Sequence, residues 1–146
     1  MTAISNHDIL QVKDISKNDI PEREGGFFKM QENLEKLLAS YIPMSEQSFL
    51  ILLSLLKPRH GYAIMQIVGE ESKGRVTLGP STVYTVLYKM EQDGLIEVIS
   101  EEDRRKVYLI KEAGRYLLQA ETKRLESLSK ISRRLLKEED VKKEAQ

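Results

Sequence analysis

Two short stretches of this 146-residue chain carry residue types suited to binding anions. Gly79-Pro80-Ser81-Thr82 opens a segment in which Val83, Val86, Leu87 and Met90 fall on one helical face. Proline at a first helical position loses no hydrogen bond, and neither it nor the preceding glycine covers the N-terminal amides. Free amides at the positive end of a helix attract anionic oxygens. The Ser81 and Thr82 hydroxyls add donors, and Tyr84, Thr85, Tyr88, Lys89 and Gln92 lie off the apolar stripe. Such side chains can touch phosphates or base edges, although no long arginine or asparagine dominates the face, so modest direct base readout is expected. The second stretch, Arg104-Arg105-Lys106, concentrates three cations between two β-like runs. Each phosphate neutralised by a cation releases counterions, so binding through this stretch would weaken with salt.

Each feature also has a plain structural reading. A serine- and threonine-rich helix start is most often a cap, Tyr84 and Tyr88 suit the edge of a core, and Arg104-Arg105 beside Glu101-Glu102-Asp103 suits a solvated turn. The functional reading gains weight because the features occur together and in order.

The elements that must position these residues follow from periodicity. Residues 1–26 show no sustained period and read as a flexible or loosely docked tail closed by Pro21 and Gly25-Gly26. Over 27–42, Phe27, Met30, Leu34, Leu37, Leu38 and Tyr41 recur at three- and four-residue steps, one face of an amphipathic helix. Pro43 stops it, and Ser45 with Glu46 starts a nearly all-apolar helix through Leu56. A further helix begins near His60-Gly61, runs to about Lys73 and carries Tyr62. The segment opening at Gly79-Pro80 ends at Asp93-Gly94, and strands are predicted over 95–100 and 106–110 around a charged tip. A long amphipathic helix begins at Glu112, with Leu118 and Leu125 seven apart, Leu128 and Leu135 seven apart, and Ile131 alongside. These approximate a coiled-coil seam that Glu121 and Ser132 interrupt, and the charged residues from Glu138 onward are expected to fray.

The predicted fold is therefore mainly α with a small β-hairpin: a winged helix-turn-helix domain over 43–111, an N-terminal helix, and a long C-terminal dimerisation helix over 112–146. In such a domain one helix fits the major groove, while the hairpin tip reaches neighbouring phosphates. Dimerisation is expected through Phe27 and Leu34 of the first helix and Leu118, Leu125, Leu128, Ile131 and Leu135 of the last. Folding of that stripe onto its own domain is the alternative.

Composition narrows the function classes. With 23 basic and 23 acidic residues the formal net charge is zero, so a generic nucleic-acid binder held by bulk charge is disfavoured. The chain has no cysteine, which excludes a disulfide framework and a thiolate metal site. Its two histidines, His7 and His60, are too few and too separated for a typical zinc site. No cofactor, metal or catalytic residue is expected, and with no glycine-rich phosphate loop an enzyme is the weakest reading. No apolar run approaches bilayer length and no signal-peptide pattern is visible, which makes the cytoplasm the expected compartment.

Several stretches resemble the PadR family of transcriptional regulators. They are Phe49-Leu50-Ile51-Leu52-Leu53-Ser54-Leu55-Leu56, Pro58-Arg59-His60-Gly61-Tyr62-Ala63-Ile64-Met65, Leu78-Gly79-Pro80-Ser81-Thr82-Val83-Tyr84 and Asp93-Gly94-Leu95-Ile96. The wing Asp103-Arg104-Arg105-Lys106-Val107-Tyr108 and the close Glu112-Ala113-Gly114-Arg115 also match. The resemblance spans about half the chain and keeps order and spacing. It implies a winged-helix repressor that binds double-stranded DNA, dimerises through its C-terminal helix and is in some members released by a small aromatic effector. By position, Tyr84 resembles the family's recognition-helix tyrosine near the DNA backbone, and Tyr62 the tyrosine of its histidine-glycine-tyrosine motif. Two departures stand out: Ser81 where the family usually has glycine, and Lys111 where it usually has threonine or serine. Lysine cannot accept amide bonds as an N-cap, so the start of the long helix is expected to be less well fixed. The alternative function is a winged-helix protein-interaction adaptor without sequence-specific DNA binding, since fold alone does not settle function.

Overall fold

The computed structural model describes residues 24–146, apart from the side chains of Glu24, Gly25 and Phe27. Of the expected tail over 1–26, residues 1–23 lie outside the described residues, as does the expected interface role of the Phe27 side chain, while residues 24–26 instead open the first helix. Among the described residues five helices and three strands follow in order: α1 (Glu24–Tyr41), α2 (Glu46–Ser54), β1 (Arg59–His60), α3 (Gly61–Glu71), α4 (Pro80–Gln92), β2 (Ile96–Glu102), β3 (Arg105–Ile110) and α5 (Glu112–Glu144). Contacts divide the chain between Asn33 and Leu34. The described part of the first unit is the opening of α1, where Phe28 and Met30 are exposed. The second unit, from Leu34 onward, holds the core and the candidate site.

Local chemistry accounts for the element boundaries. Ser45 caps α2, its hydroxyl accepting from the Ser48 amide at 3.1 Å. His60 caps α3 through Nδ1, which accepts from the Ala63 amide at 3.3 Å. The histidine thus serves the turn. Helix α4 ends in a Schellman motif: Leu95 N–H donates to the Met90 carbonyl at 2.9 Å and Gly94 N–H to that of Glu91 at 3.1 Å, with Gly94 at φ +75°. The turn buries Leu95 against the inner face of α4 and leads directly into β2.

The core is built from one stripe of each element. Ile51, Leu52 and Leu55 of the α2 region meet Ile64 and Val68 of α3 and Val83, Leu87 and Met90 of α4. Leu95 and Ile96, Tyr108 and Ile110 of the sheet, and Leu117 and Leu118 of α5 complete it. Each such side chain contributes roughly 1.5–3 kcal/mol on burial, which is what holds the short helices in place.

The sheet has the order β1-β3-β2, all antiparallel. The two-residue β1 pairs Arg59 with Tyr108 and His60 with Val107, tying the start of α3 to the hairpin. This strand is not visible in the sequence, because two residues carry no periodicity. The hairpin β2–β3 runs further than expected, to the pair Glu102–Arg105, with an irregularity between Val98 and Ser100.

Helix α5 continues to Glu144, past the point at Glu138 from which fraying is expected. Lys111 gives it no side-chain cap, in keeping with the departure noted above. The interruption of its seam by Glu121 has a structural cause. The Glu121 carboxylate is buried at 1% exposure, where it accepts from the Met44 amide (3.3 Å) and from Arg124 Nε (2.8 Å) and Nη2 (2.6 Å). The paired carboxylate holds the Arg124 guanidinium above its ordinary range. Removing one partner of such a pair leaves an uncompensated group. Glu121→Ala is therefore expected to lower unfolding free energy by about 2–3 kcal/mol, less than for a fully buried pair because Arg124 can turn to solvent. Urea denaturation checks this, and an unchanged midpoint would refute it.

Candidate nucleic-acid interface

Helices α3 and α4 form a helix-turn-helix, and the β2–β3 hairpin that follows is a wing. At the start of α4, Gly79 is the N-cap and makes no side-chain cap bond, with Pro80 at the first turn. The first internal bond runs from the Val83 amide to the Gly79 carbonyl at 3.1 Å, so the Ser81 and Thr82 amides precede the ladder. Val83, Leu87 and Met90 are buried, which turns Ser81, Thr82, Tyr84, Thr85 and Tyr88 outward, all exposed. The Thr85 hydroxyl donates back to the Ser81 carbonyl at 2.8 Å, which leaves it an acceptor toward any ligand. Tyr62 of α3, Tyr84 and Tyr88 are the exposed aromatic side chains of this motif, at 60%, 52% and 67% exposure.

At the wing tip, Asp103 and Arg104 lie at φ +49° and +64° between the paired residues Glu102 and Arg105. Two left-handed residues closing a two-residue loop give the turn whose twist suits an antiparallel hairpin. Arg104, Arg105 and Lys106 are exposed and form no ion pair among the described residues.

Lys89 sits differently from the other sequence candidates. Its Nζ is 2.9 Å from Asp93 Oδ2 and lies 4.4 Å from the centroid of the Tyr41 ring. Tyr41 in turn donates its hydroxyl to the same Asp93 oxygen at 2.5 Å. The cation expected to face a ligand is thus engaged in a tie between the end of α1 and the end of α4. Tyr41 and Asp93 were missed as partners because 52 residues separate them, and Tyr41 read simply as part of an apolar face. Burial, then the Asp93 contact, pushes the Tyr41 phenol well above its ordinary range. The Tyr41 hydroxyl, then Lys89, holds the Asp93 carboxyl below its ordinary value.

A depressed carboxylate contributes stability at pH above its unfolded value and loses it as pH falls through its folded value. The tie is therefore complete at neutral pH and weakens in acid, below the usual carboxylate range. Tyr41→Phe is expected to cost about 1 kcal/mol at pH 7, since the site is partly solvated, and less at pH 3. Denaturation at the two pH values checks this, and an equal cost at both would contradict it.

On α5, Leu125, Leu128, Ile131 and Leu135 are exposed at 41–52%, as a free apolar stripe requires. Leu136 and Val141 extend the exposed apolar set, beyond the sequence reading. Leu118, grouped with that stripe by heptad spacing, lies instead in the core of its own domain at 5% exposure. Leu34 is half-buried. Among the described residues, no group of acidic and histidine side chains could hold a metal ion. No helix among them is long and apolar enough to cross a membrane.

The helix-turn-helix, the hairpin after it and the long following helix define a winged helix-turn-helix protein. Residues 49–120 match the transcriptional regulator PadR-like family. Solved structures share the fold. A PadR family transcription regulator from Clostridium difficile superposes with a TM-score of 0.54 at 22% identity, over 63% of this chain and 99% of that one. A transcriptional regulator from Clostridium thermocellum gives 0.53 at 18% identity, over 68% and 96%. A PadR-like transcriptional regulator from Bacillus cereus gives 0.51 at 18% identity, over 69% and 96%. A 37.1 kDa protein in transposon TN4556 of Streptomyces fradiae is 35% identical over 72 residues, 49% of this chain and 20% of that protein. The chain thus spans about a fifth of that curated relative's length.

Proposed function

We propose that the protein is a cytoplasmic, DNA-binding transcriptional repressor that acts as a homodimer on a palindromic operator and is released by a small aromatic effector. One observation carries the DNA-binding part. The uncapped start of α4 and the unpaired cations of the wing stand on the same winged domain, with exposed hydroxyl and phenol side chains between them. Amides and hydroxyls would take the phosphate backbone and base edges, and the wing would take flanking phosphates. The exposed stripe of α5 supports the dimer, because an apolar row of that length is costly to leave in water. Two recognition helices related by a two-fold axis sit about one turn of DNA, roughly 34 Å, apart, which favours a palindrome.

The effector rests on the family resemblance alone. A thermal-shift screen with phenolic acids and cationic dyes tests it, since a ligand of the native state raises apparent stability. The central test is an anisotropy titration on the chain's own upstream region against random duplex. Tighter binding to the upstream region is expected, and equal affinity across salt concentrations would overturn the reading in favour of the adaptor. Sedimentation as a monomer at micromolar concentration would remove the dimer.

A further inference from the structure

Gly61 was not among the sequence candidates, yet it touches one of them. A Cβ at Gly61 would lie 2.8 Å from the Tyr84 hydroxyl oxygen, 2.9 Å from Cζ and 3.1 Å from Cε1. The outer edge of the Tyr84 ring therefore lies on the bare backbone of Gly61, the first residue of α3. The ring is half-exposed, and its hydroxyl makes no hydrogen bond among the described residues. Gly61 itself is buried and has an ordinary backbone conformation, so no turn explains the glycine. What its missing side chain provides is a seat.

We propose that Gly61 is a positioning residue for DNA binding, holding the Tyr84 ring against the first turn of α3 so that its free hydroxyl is preset to donate to a DNA phosphate. The inference rests on the DNA-binding reading above and deepens it. A tyrosine at the surface has two side-chain torsions to lose on binding, and a seat that fixes them beforehand removes that cost. The contacting atoms are the far end of a side chain that can swing outward, so an alanine would displace the ring and leave the core intact. Alanine is also the better helix former.

The test uses the full-length protein with Gly61→Ala, Tyr84→Phe and the double substitution. Binding to the upstream duplex is followed by anisotropy at several salt concentrations. Each single variant is expected to bind about a hundredfold more weakly, about tenfold for the hydrogen bond to a charged group lost in each of the two subunits. The double variant is expected to be no weaker than either, because both changes act through one hydroxyl. The salt slope should not change, since no cation is removed. The melting temperature of Gly61→Ala should equal or exceed that of the unsubstituted protein. In the free protein, Gly61→Ala should move the Tyr84 ring resonances in NMR spectra. Unmoved resonances, unchanged affinity of Gly61→Ala, a multiplicative loss in the double variant, or a melting temperature several degrees lower would each overturn the proposal. If the unsubstituted protein fails to prefer the upstream duplex, the DNA-binding reading itself fails, and that arm separates the two outcomes.

Discussion

Replacing Arg104 and Arg105 together by alanine is expected to weaken DNA binding about a thousandfold, at roughly 1 kcal/mol for each solvent-facing arginine–phosphate contact and four such contacts in a dimer. The chain as a whole is neutral, so few other cations can compensate. The salt slope should become shallower by about three to four, because each lost phosphate contact removes close to one counterion. Stability should hold, as neither side chain is buried or paired. Arg104→Gly separates fold from function further. Arg104 occupies the left-handed region at φ +64°, where a side chain costs about 1 kcal/mol that glycine does not incur. That variant is expected to melt higher and bind DNA less tightly. Loss of binding accompanied by loss of fold would show the wing arginines to be structural.

Gly114→Ala is expected to destabilise the domain by about 3 kcal/mol, at the upper end for overpacking a core. A Cβ there would lie 2.5 Å from the Leu95 carbonyl oxygen and 2.7 Å from Ile110 Cγ1. Unlike the Tyr84 ring at Gly61, the first obstacle is backbone. It is fixed on both sides: the Leu95 carbonyl accepts from the Lys111 amide at 2.9 Å, and the Ile110 amide donates to the Leu55 carbonyl at 2.9 Å. Helix α5 would have to lift away from the hairpin, and with 33 residues a small tilt at its first turn displaces the far end widely. Gly69→Ala is the control, since a Cβ at that helical position meets nothing within 4 Å. It should be neutral or stabilising by roughly 0.5–1 kcal/mol. Denaturation of the two variants side by side checks the pair, and equal stability would refute the close seat of α5.

What could be read in the sequence was what repeats or caps locally. The start of α4 at Gly79-Pro80, its end at Asp93-Gly94, the Ser45 cap and the wing follow from neighbouring residues, and all stand where expected except that the wing strands run closer to its tip. Heptad spacing along α5 could not separate Leu118 from Leu125. The two share a helical face, and only the length over which α5 rests on the domain decides that one is core and the other exposed. Glu121 read as a defect in the seam because its Met44 amide partner, 77 residues away, becomes visible only once the chain is folded. Lys89 read as a free cation although Asp93 lies one helical turn further on; its Tyr41 contact, 48 residues away, carried no such local signal. Gly61 lay within the histidine-glycine-tyrosine stretch, but its contact carried no local signal, because it is with a side chain on another helix. The contacts that position the site were thus mostly long-range, and the groups that form its face were mostly local.

In the proposed complex a neutral chain holds DNA through a few wing cations doubled by symmetry. The most direct measurement is the dependence of upstream-duplex affinity on salt for the unsubstituted protein. With Arg104, Arg105 and Lys106 each meeting one phosphate in both subunits, a log–log slope of about −5 is expected. A slope near zero, or one as steep as roughly −10 that would require a broad basic surface, would contradict it.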